Sequence, residues 1–365
     1  MIPNRQSGNV YTILLYDALQ SIGMRYVDIP FSLPYLLRHP PHEPFHYLHF
    51  HWPEVFFRIR ARAVHRLFGL KGYVHLHGFW DLAKRRGYRL VWTVHEVDVH
   101  DLRRHRSLYE GSRRKLWRMA DIVFAHSDEV SEAAVHRWGA REHVYTVPHG
   151  DFAGAYPDSM PRNEARARLQ LPDDAVVFLF LGNIRPYKGV EELLDAFGAL
   201  QAETPRTHLL IVGQPKVQAL GDSIRARAAG IPNLHLHLGF APDSEIQLYM
   251  RAADCFVAPY RYVETSGSIY LALTFGLPII TKLEGNVRAF CDKGIGFLLE
   301  DMAAMPQAMR EFLALSDAER RQLRANVADA LRDDAWDRVA ERYRAAFAAY
   351  ETSSAPALTV SPDPG

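Results

Sequence analysis

Cysteine is scarce in this chain, which has only 2 in 365 residues, Cys255 and Cys291. Two cysteines cannot form a disulfide framework, and both lie in apolar sequence, so we expect reduced, buried thiols. Long hydrophobic runs are also missing: no segment approaches the roughly 18 apolar residues of a membrane span. No charged start precedes an apolar core of the signal-peptide kind. These absences predict a cytoplasmic chain that neither crosses a membrane nor is exported.

Net charge is nearly absent as well, at +1, but the charges are unevenly distributed. Between residues 58 and 118 there are 16 Lys and Arg against 5 Asp and Glu, interleaved with aromatic residues. A basic, aromatic surface suits the anionic face of a membrane or a lipid diphosphate, although solvated arginines on ordinary helices would give the same count. No recognisable nucleic-acid module is present, so nucleic acid is not an expected partner.

The length predicts about two domains. Strands alternate with amphipathic helices in both halves, which predicts an α/β fold of two Rossmann-like domains, each a doubly wound parallel sheet, facing a cleft. We expect the first domain at 1–155 and the second at 156–335. A helix at 336–351 is expected to pack back on the first domain, and 352–365 should be a disordered tail. No strand is predicted before the helix at 9–22, so the usual first strand is expected to be missing, either because the chain begins late or because the sheet lacks that strand.

Strands are predicted in both halves from short apolar runs bounded by turns. In the first half they fall at 26–29, 46–50, 89–94, 121–125 and 144–147, and in the second at 176–181, 208–212, 234–238, 255–258 and 278–281. Helices are predicted between them, including 55–68, 107–119 and 127–138, the last with Ser127 as its N-cap.

The most informative motif is Gly-Asn-Ile-Arg-Pro-Tyr-Lys-Gly at 182–189. It follows the apolar run at 176–181 and opens an amphipathic helix, which places Arg185 and Lys188 at the carboxyl end of a buried strand. Helix N-termini present unpaired N–H groups and partial positive charge. The motif therefore predicts an anion site suited to a diphosphate, although the glycines alone could serve only a tight turn.

A second cluster at 258–268 repeats this pattern. It follows the strand at 255–258 and leads into a helical run, with Ser266, Gly267 and Ser268 at the helix start. Backbone amides and hydroxyls at such a start can hold a second phosphate.

Together with the glycine turn after Val212 and the Phe275-Gly-Leu-Pro segment, these motifs resemble the GT-B glycosyltransferases over most of the chain. More narrowly, His49-Phe-His-Trp-Pro-Glu, Ile184-Arg-Pro-Tyr-Lys-Gly-Val-Glu and Ser266-Gly-Ser-Ile-Tyr-Leu-Ala-Leu resemble bacterial exopolysaccharide mannosyltransferases of the xanthan-assembly type. That resemblance implies transfer of mannose from GDP-mannose to a polyprenyl-diphosphate-linked glycan, at the cytoplasmic face of a membrane.

The resemblance also implies a nucleotide-sugar site. We assign to it Gly182, Arg185, Lys188, Gly213, Tyr260, Glu264, Ser266, Gly267 and Ser268. Glu264 matches the first acidic residue of the two-glutamate motif of the large retaining GT-B family 4. The second glutamate should fall eight residues later, where this chain has Ala272, so ribose recognition must use other groups. Glu264 as a solvated loop acid remains an alternative.

Glycosyl transfer leaves negative charge on the departing diphosphate, and the acceptor hydroxyl must lose a proton. Many transferases meet the first need with a metal held by an Asp-x-Asp motif, which this chain lacks, so we expect cations and helix N-termini to serve and no metal or other cofactor to be needed. For the base we expect His100 with Asp101, then Asp98 and Glu96, in the loop after the strand at 89–94. A helix-capping loop without catalytic function is the alternative.

Three further residues are assigned to the acceptor side: His51, Trp52 and His95. His95 is expected to position substrate, while Trp52 suits the apolar core or a cleft wall better than an acceptor platform. Other functions remain open, namely a UDP-sugar-dependent transferase of the retaining family, a sugar-nucleotide 2-epimerase of the same fold, and a non-catalytic nucleotide-sugar-binding protein.

Overall fold

The computed structural model describes residues 9–42, 45–57, 63–98, 106–201 and 203–354. The chain divides into two compact units. The first consists of Met1–Val147 together with Asp337–Gly365, and the second is Pro148–Trp336. Residues 148–155, which the sequence assigned to the first domain, thus group with the second unit.

The first unit is a parallel α/β structure. Within its described residues the sheet has four strands in the order β1-β2-β3-β4, and every pair is parallel. The strands are β1 (Tyr47–Phe50), β2 (Arg89–Val94), β3 (Ile122–Ala125) and β4 (Val144–Thr146). The helices are α1 (Val10–Ser21), α2 (Leu33–Arg38), α3 (Ala63–Arg85), α4 (Arg106–Met119), α5 (Asp128–Trp138) and a C-terminal helix (Trp336–Ser354).

Alternate residues of these strands point to opposite faces of the sheet. One face carries Phe50 and Trp92, which belong to an apolar core shared with α3, α4 and α5. The other face carries Phe124, whose ring lies 4.3 Å from that of Tyr343 in the C-terminal helix. Helix α1 reaches the same place, because the Tyr11 hydroxyl is 3.4 Å from the Tyr343 hydroxyl. Both faces of the sheet are therefore covered.

Three predictions for this unit need correction. Residues 26–29 form no strand; Tyr26 packs instead on Tyr16 of α1, with ring centroids 4.6 Å apart. Residues 55–68 are not one α-helix, because Pro53–Phe57 is a 3₁₀ helix; the described part of α3 is Ala63–Arg85. The C-terminal helix continues to Ser354, so the predicted disordered tail is wrong at 352–354, and 355–365 lie outside the described residues.

A row of buried polar side chains begins at the carboxyl end of β1. The His49 Nε2 atom lies 2.8 Å from Thr93 Oγ1, and its Nδ1 atom lies 2.8 Å from the Tyr16 hydroxyl. The same hydroxyl lies 3.0 Å from His51 Nε2. All four side chains are buried. One tyrosine from α1 thus joins two histidines from the end of β1.

The row continues across the ends of the other strands. His51 Nδ1 lies 3.1 Å from His95 Nε2, and His95 Nδ1 lies 3.3 Å from His126 Nε2. His126 Nδ1 in turn lies 3.1 Å from the carbonyl oxygen of Val147. We call this row the histidine chain; its members, in order, are Thr93, His49, Tyr16, His51, His95, His126 and Val147.

The second unit has a larger parallel sheet. In the part that the structure describes, six strands run in the order β10-β9-β8-β5-β6-β7. They are β5 (Val176–Leu181), β6 (Thr207–Val212), β7 (Leu234–His237), β8 (Cys255–Ala258), β9 (Ile279–Lys282) and β10 (Gly296–Leu299). The helices are α6 (Arg162–Arg168), α7 (Val190–Gln201), α8 (Gln218–Ala228), α9 (Ile246–Ala252), α10 (Gly267–Thr274), α11 (Met305–Ala314) and α12 (Asp317–Ala330).

The strand order reverses at β5. From there the chain proceeds outward to β6 and β7, then returns to β8 on the other side of β5. Because parallel crossovers are right-handed, the two directions put helices on opposite faces of the sheet. The predicted doubly wound sheet is confirmed. Such a sheet opens a crevice at the carboxyl ends of the strands where its order reverses, here β5 and β8, and ligands bind at that point.

Two predictions for this unit are incomplete. Strand β10 is absent from the predicted set, although its sequence Gly-Phe-Leu-Leu is apolar; none of its four residues is fully buried. Cys255 is a buried thiol as predicted, but Cys291 is exposed; it directly follows the 3₁₀ helix Gly285–Phe290. Among the described helices, none is both long and apolar enough to cross a membrane.

Gly189 sets how closely the loops after β5 and β8 approach each other. Its φ is +64°, in the left-handed region, and a Cβ there would lie 1.9 Å from the Pro259 carbonyl oxygen. The amide of Arg261 also donates to the Tyr187 carbonyl at 2.9 Å. The positive φ and the lack of room for a Cβ therefore both require glycine at position 189.

We predict that Gly189→Ala lowers the free energy of unfolding. The left-handed conformation alone costs a residue with a Cβ about 1–2 kcal/mol, and the displaced Pro259 carbonyl adds to this. Urea denaturation followed by circular dichroism measures the change.

Gly198→Ala is the matched control. Gly198 lies inside α7, and its added Cβ would make an ordinary 3.5 Å contact with Ile231. Alanine in a helix interior should raise stability by about 0.5–1 kcal/mol. Equal stability of the two variants would contradict the close approach of the two loops.

We also predict that the first unit loses stability in acid. Burial lowers the pKa of His49 from 6.5 to about 3 and that of His51 well below 6.5. The unfolded chain then binds protons that the folded chain does not, so the unfolding free energy falls as the pH drops below about 6.5 and continues to fall toward about 3. Each histidine contributes a slope of about 1.4 kcal/mol per pH unit.

Tryptophan fluorescence during urea unfolding reports this change, because every tryptophan except Trp336 belongs to the first unit. His49→Gln should reduce the slope with pH. His136→Gln, at an exposed position of α5, should leave the slope unchanged. An unfolding free energy that does not vary over this interval would refute the buried, uncharged state of these histidines.

Candidate functional site

The predicted anion-binding motifs meet at the crevice of the second unit. Residues 182–189 follow β5 and residues 259–268 follow β8, the two strands at which the sheet order reverses. Their backbones touch through Gly189 and Pro259, as described above. Two segments about 80 residues apart in sequence therefore form one surface at the edge of the sheet.

Lys188 is the charged group at the centre of this surface. It ends the 3₁₀ turn Pro186–Lys188, and only 8% of its surface is exposed. Its Nζ donates to the Tyr260 hydroxyl at 2.9 Å and lies 4.3 Å from the centroid of that ring. Among the described residues no carboxylate pairs with this ammonium group. A buried cation without a counter-charge is costly unless a ligand supplies the anion.

Gly182 leaves space beside that cation. A Cβ at this residue would lie 2.7 Å from Ser268 Oγ and 3.7 Å from Lys188 Nζ. The absence of a side chain at 182 thus lets a hydroxyl of the second motif and an ammonium of the first converge on one point. Gly213, at the end of β6, supports this turn from the other side, because its own Cβ would lie 1.8 Å from the Gly182 carbonyl oxygen.

Helix α10 begins at the same place. Ser266 is its N-cap and accepts a hydrogen bond from the amide of Ile269 at 3.4 Å. Gly267 and Ser268 form its first turn, where backbone N–H groups have no partner within the helix. These amides and the Ser268 hydroxyl are suited to phosphate oxygens. Arg185, half-buried, precedes the turn that carries Lys188.

A third loop, after β9, packs on Glu264. The backbone N–H of Asn286 donates to the backbone carbonyl of Glu264 at 2.8 Å. A Cβ on Gly285 would lie 2.3 Å from the same carbonyl oxygen. The Asn286 carboxamide is fully buried without a hydrogen-bond partner among the described residues, as is the Thr265 hydroxyl. Buried polar atoms without partners are rare. The sequence reading missed Asn286, whose signal is a Gly-Asn pair just after a strand.

Ala272 occupies the position at which the resemblance expects a second glutamate. It lies inside α10 and is fully buried. Ribose recognition therefore cannot use this side chain, in agreement with the departure noted in the sequence.

The acceptor-side residues lie at the carboxyl edge of the first unit's sheet. His51 and His95 are buried members of the histidine chain, and the ring of Trp52 stacks on His95 with centroids 4.1 Å apart. Tyr16 and His126 join them in that chain and were missed by the sequence reading. The signal for His126 was its place directly after a strand, as for His51 and His95.

The structure describes two of the four candidate bases. Glu96 lies 3.6 Å from the buried guanidinium of Arg113, and Asp98 lies 3.4 Å from that of Arg106. Both carboxylates are therefore paired with cations. His100 and Asp101 lie outside the described residues.

Metal ligands do not gather anywhere in the described part of the chain: no group of three or more His, Cys, Asp or Glu is placed to hold a metal ion.

Comparisons with known proteins agree with this geometry. Residues 161–329 match the sequence model of the glycosyl transferases group 1. A D-inositol 3-phosphate glycosyltransferase of Streptomyces scabiei is 30% identical over 309 residues, covering 78% of this chain and 68% of the relative. That of Streptomyces avermitilis is 31% identical, covering 68% of this chain and only 57% of the relative.

A third relative is the GDP-mannose:glycolipid 4-beta-D-mannosyltransferase of Xanthomonas campestris pv. campestris. It is 25% identical over 299 residues, covering 80% of this chain and 74% of the relative. Its name gives GDP-mannose as the donor and a glycolipid as the acceptor.

Solved structures share the fold. A sucrose-phosphate synthase from Thermosynechococcus elongatus aligns with a TM-score of 0.64 at 22% identity, covering 83% of this chain and 74% of the synthase. Anabaena HepE in complex with UDP-glucose also aligns with a TM-score of 0.64, at 17% identity, covering 76% of each chain. Sequence, sheet topology and these likenesses agree that the chain belongs to the group 1 glycosyl transferases and has the GT-B fold.

Proposed function

We propose that this glycosyltransferase moves a mannosyl group from GDP-mannose to a glycolipid or other glycan acceptor, and that it uses its own cations in place of a metal ion. The observation that carries the proposal is the buried Lys188 ammonium beside Gly182 and Ser268, at the start of α10. This is a fixed positive site at the point of the sheet where α/β folds bind ligands.

The chemistry follows from where charge develops. When the bond between the anomeric carbon and the diphosphate breaks, negative charge grows on the leaving phosphate. Lys188 and the first-turn amides of α10 are already oriented toward one point, so they stabilise that charge without reorganising. We assign Arg185 to the same diphosphate, where its guanidinium can bind two oxygens at once.

The donor base is proposed from likeness. The Xanthomonas relative is named for GDP-mannose and a glycolipid, and the motifs at 49–54, 184–191 and 266–273 resemble its group. HepE, by contrast, was solved with UDP-glucose, but at 17% identity it supports the fold alone. A UDP-sugar donor is the competing outcome, and the nucleotide panel below separates the two.

A lipid-linked acceptor is supported by the basic first unit. On α3, Leu70 and Val74 are 49% and 63% exposed, one turn apart, and the exposed Lys71 lies between them. Apolar side chains beside cations favour the surface of an anionic bilayer. A transferase that extends a lipid-linked glycan has to meet its acceptor at such a surface. For proton removal we retain His100 with Asp101 as the base.

We predict that Lys188→Ala lowers kcat by about 10²–10³-fold, the usual loss for one preorganised donor to a developing anion. Steady-state transfer assays with GDP-mannose and a glycolipid acceptor measure it, and circular dichroism confirms folding.

The matched control is Lys216→Ala, which removes an exposed cation from the loop after the neighbouring strand β6. It should keep nearly the full kcat. A normal kcat for the Lys188 variant, or an equal loss in both, would show that the buried ammonium does not stabilise the leaving group.

We also predict that GDP raises the melting temperature more than UDP, ADP or dTDP at equal concentration. A ligand that binds only the folded state stabilises it by RT ln(1 + [L]/Kd), so about 100-fold saturation gives about 2.7 kcal/mol. Lys188→Ala should reduce the shift for every nucleotide, since all share the diphosphate. A larger shift with UDP would reject GDP-mannose as donor and leave the diphosphate site standing.

A further inference from the structure

The histidine chain has a property that follows from its hydrogen bonds alone. Each of its six contacts joins two polar atoms 2.8–3.3 Å apart. Each such contact needs one hydrogen and one lone pair. A neutral imidazole has one N–H and one bare nitrogen, so the direction of one contact decides the direction of the next.

The direction is set at the Val147 end. A backbone carbonyl only accepts, so the His126 Nδ1 atom must carry a hydrogen and donate to Val147. His126 Nε2 is then bare and must accept from the Nδ1–H of His95. By the same reasoning His95 Nε2 accepts from the Nδ1–H of His51.

The directions of the remaining three hydrogen bonds are then fixed as well. His51 Nε2 is bare and takes the hydrogen of the Tyr16 hydroxyl. The Tyr16 oxygen then accepts from His49 Nδ1–H, and His49 Nε2 accepts from the Thr93 hydroxyl. For neutral rings the six contacts thus allow one arrangement, in which all four rings carry their hydrogen on Nδ1, the less favoured site for free histidine in water.

We propose that the histidine chain is a one-directional hydrogen-bond relay that holds His51 and His95 as neutral rings with fixed orientation, and that Tyr16 is the positioning residue on which it depends. Tyr16 contributes the only oxygen that both accepts from one histidine and donates to another. Without that hydroxyl, His49 has no acceptor for its Nδ1–H and His51 Nε2 has no donor.

The positioning role of Tyr16 rests on the proposed transferase function, because the His95 ring stacks on Trp52, which we assign to the acceptor. The rings of His95 and Trp52 are nearly parallel, at 19° and 4.1 Å, and Trp52 is partly exposed. In the relay both nitrogens of His51, His95 and His126 are engaged by neighbours, so none of them takes the proton of the acceptor hydroxyl. They orient the site, and the base must lie elsewhere.

Burial gives independent support. The side chains of His49, His51, His95 and His126 are 2–8% exposed. Burial also lowers the pKa of His49 to about 3. A charged ring is disfavoured here, and the all-neutral arrangement satisfies every contact.

The test is nitrogen NMR of protein labelled with ¹⁵N-histidine, with each ring assigned by replacing the four histidines in turn. Near neutral pH we expect four neutral Nδ1–H rings in the wild-type protein. An imidazolium or an Nε2–H ring at any of the four positions would overturn the relay. This readout needs no substrate, so it is separate from the success or failure of the transferase assignment.

The variant Tyr16→Phe tests the positioning role. We expect His49 to lose the pure Nδ1–H signature and the His51 Nε2 signal to shift because its donor is gone, while His51, His95 and His126 keep their hydrogen on Nδ1, since Val147 still orients them. Transfer should show an acceptor KM raised at least about tenfold, with GDP binding unchanged. Unaltered His51 signals, or an unaltered KM, would reject Tyr16 as a positioning residue.

Tyr11→Phe is the matched control. Tyr11 is also buried on α1, and its ring lies edge-on to His51, His95 and His126. Its hydroxyl contacts Tyr343 and is not a link of the relay. All four histidine signals should persist in this variant. If Tyr16→Phe fails to fold, the wild-type spectrum still decides whether the relay exists.

Discussion

A buried ammonium that pairs with no carboxylate in the described part of the chain is the constraint on which the second unit's site depends. Lys188 is held against Tyr260, which provides a hydroxyl and a π face but no full negative charge. Such an arrangement is unfavourable in the free protein and becomes favourable when an anion arrives. The rest of the fold therefore has to offset the unfavourable free energy of this buried cation. It also has to be rigid enough to hold the cation in place.

That rigidity comes from backbone contacts at glycines. Gly189 lies directly on the Pro259 carbonyl, and Gly182 leaves space between Lys188 and Ser268. Neither position tolerates a side chain: at 189 the backbone carbonyl of Pro259 fills the space, and at 182 the Ser268 hydroxyl does. Two glycines a few residues apart thus let both loops of the site pack closely around Lys188.

Features built from residues close together in the sequence could be predicted, and features built from residues far apart in the sequence could not. Five of the six strands of the second unit and both glycine motifs could be located because each is a contiguous pattern of apolar run, turn and helix start. The histidine chain could not, because Tyr16 and His126 come from distant elements and meet only in the folded sheet. The predicted strand at 26–29 was wrong. Its apolar residue Val27 is half exposed, so it does not mark a strand that is buried in the sheet. Cys291 failed similarly, since local apolar sequence does not guarantee burial.

The two units present chemically different edges, which matches the two halves of the proposed reaction. The donor's diphosphate is doubly charged, and the second unit offers it Lys188, Arg185 and helix-end amides. The acceptor of the proposed reaction contributes a hydroxyl group, and the first unit offers it rings kept neutral and oriented by a hydrogen-bond relay. A protonated histidine row on the acceptor side would attract the diphosphate and compete with the second unit's cations. Holding these imidazoles uncharged confines the strong anion site to one unit, and burial disfavours their charged form while hydrogen bonding orients the rings.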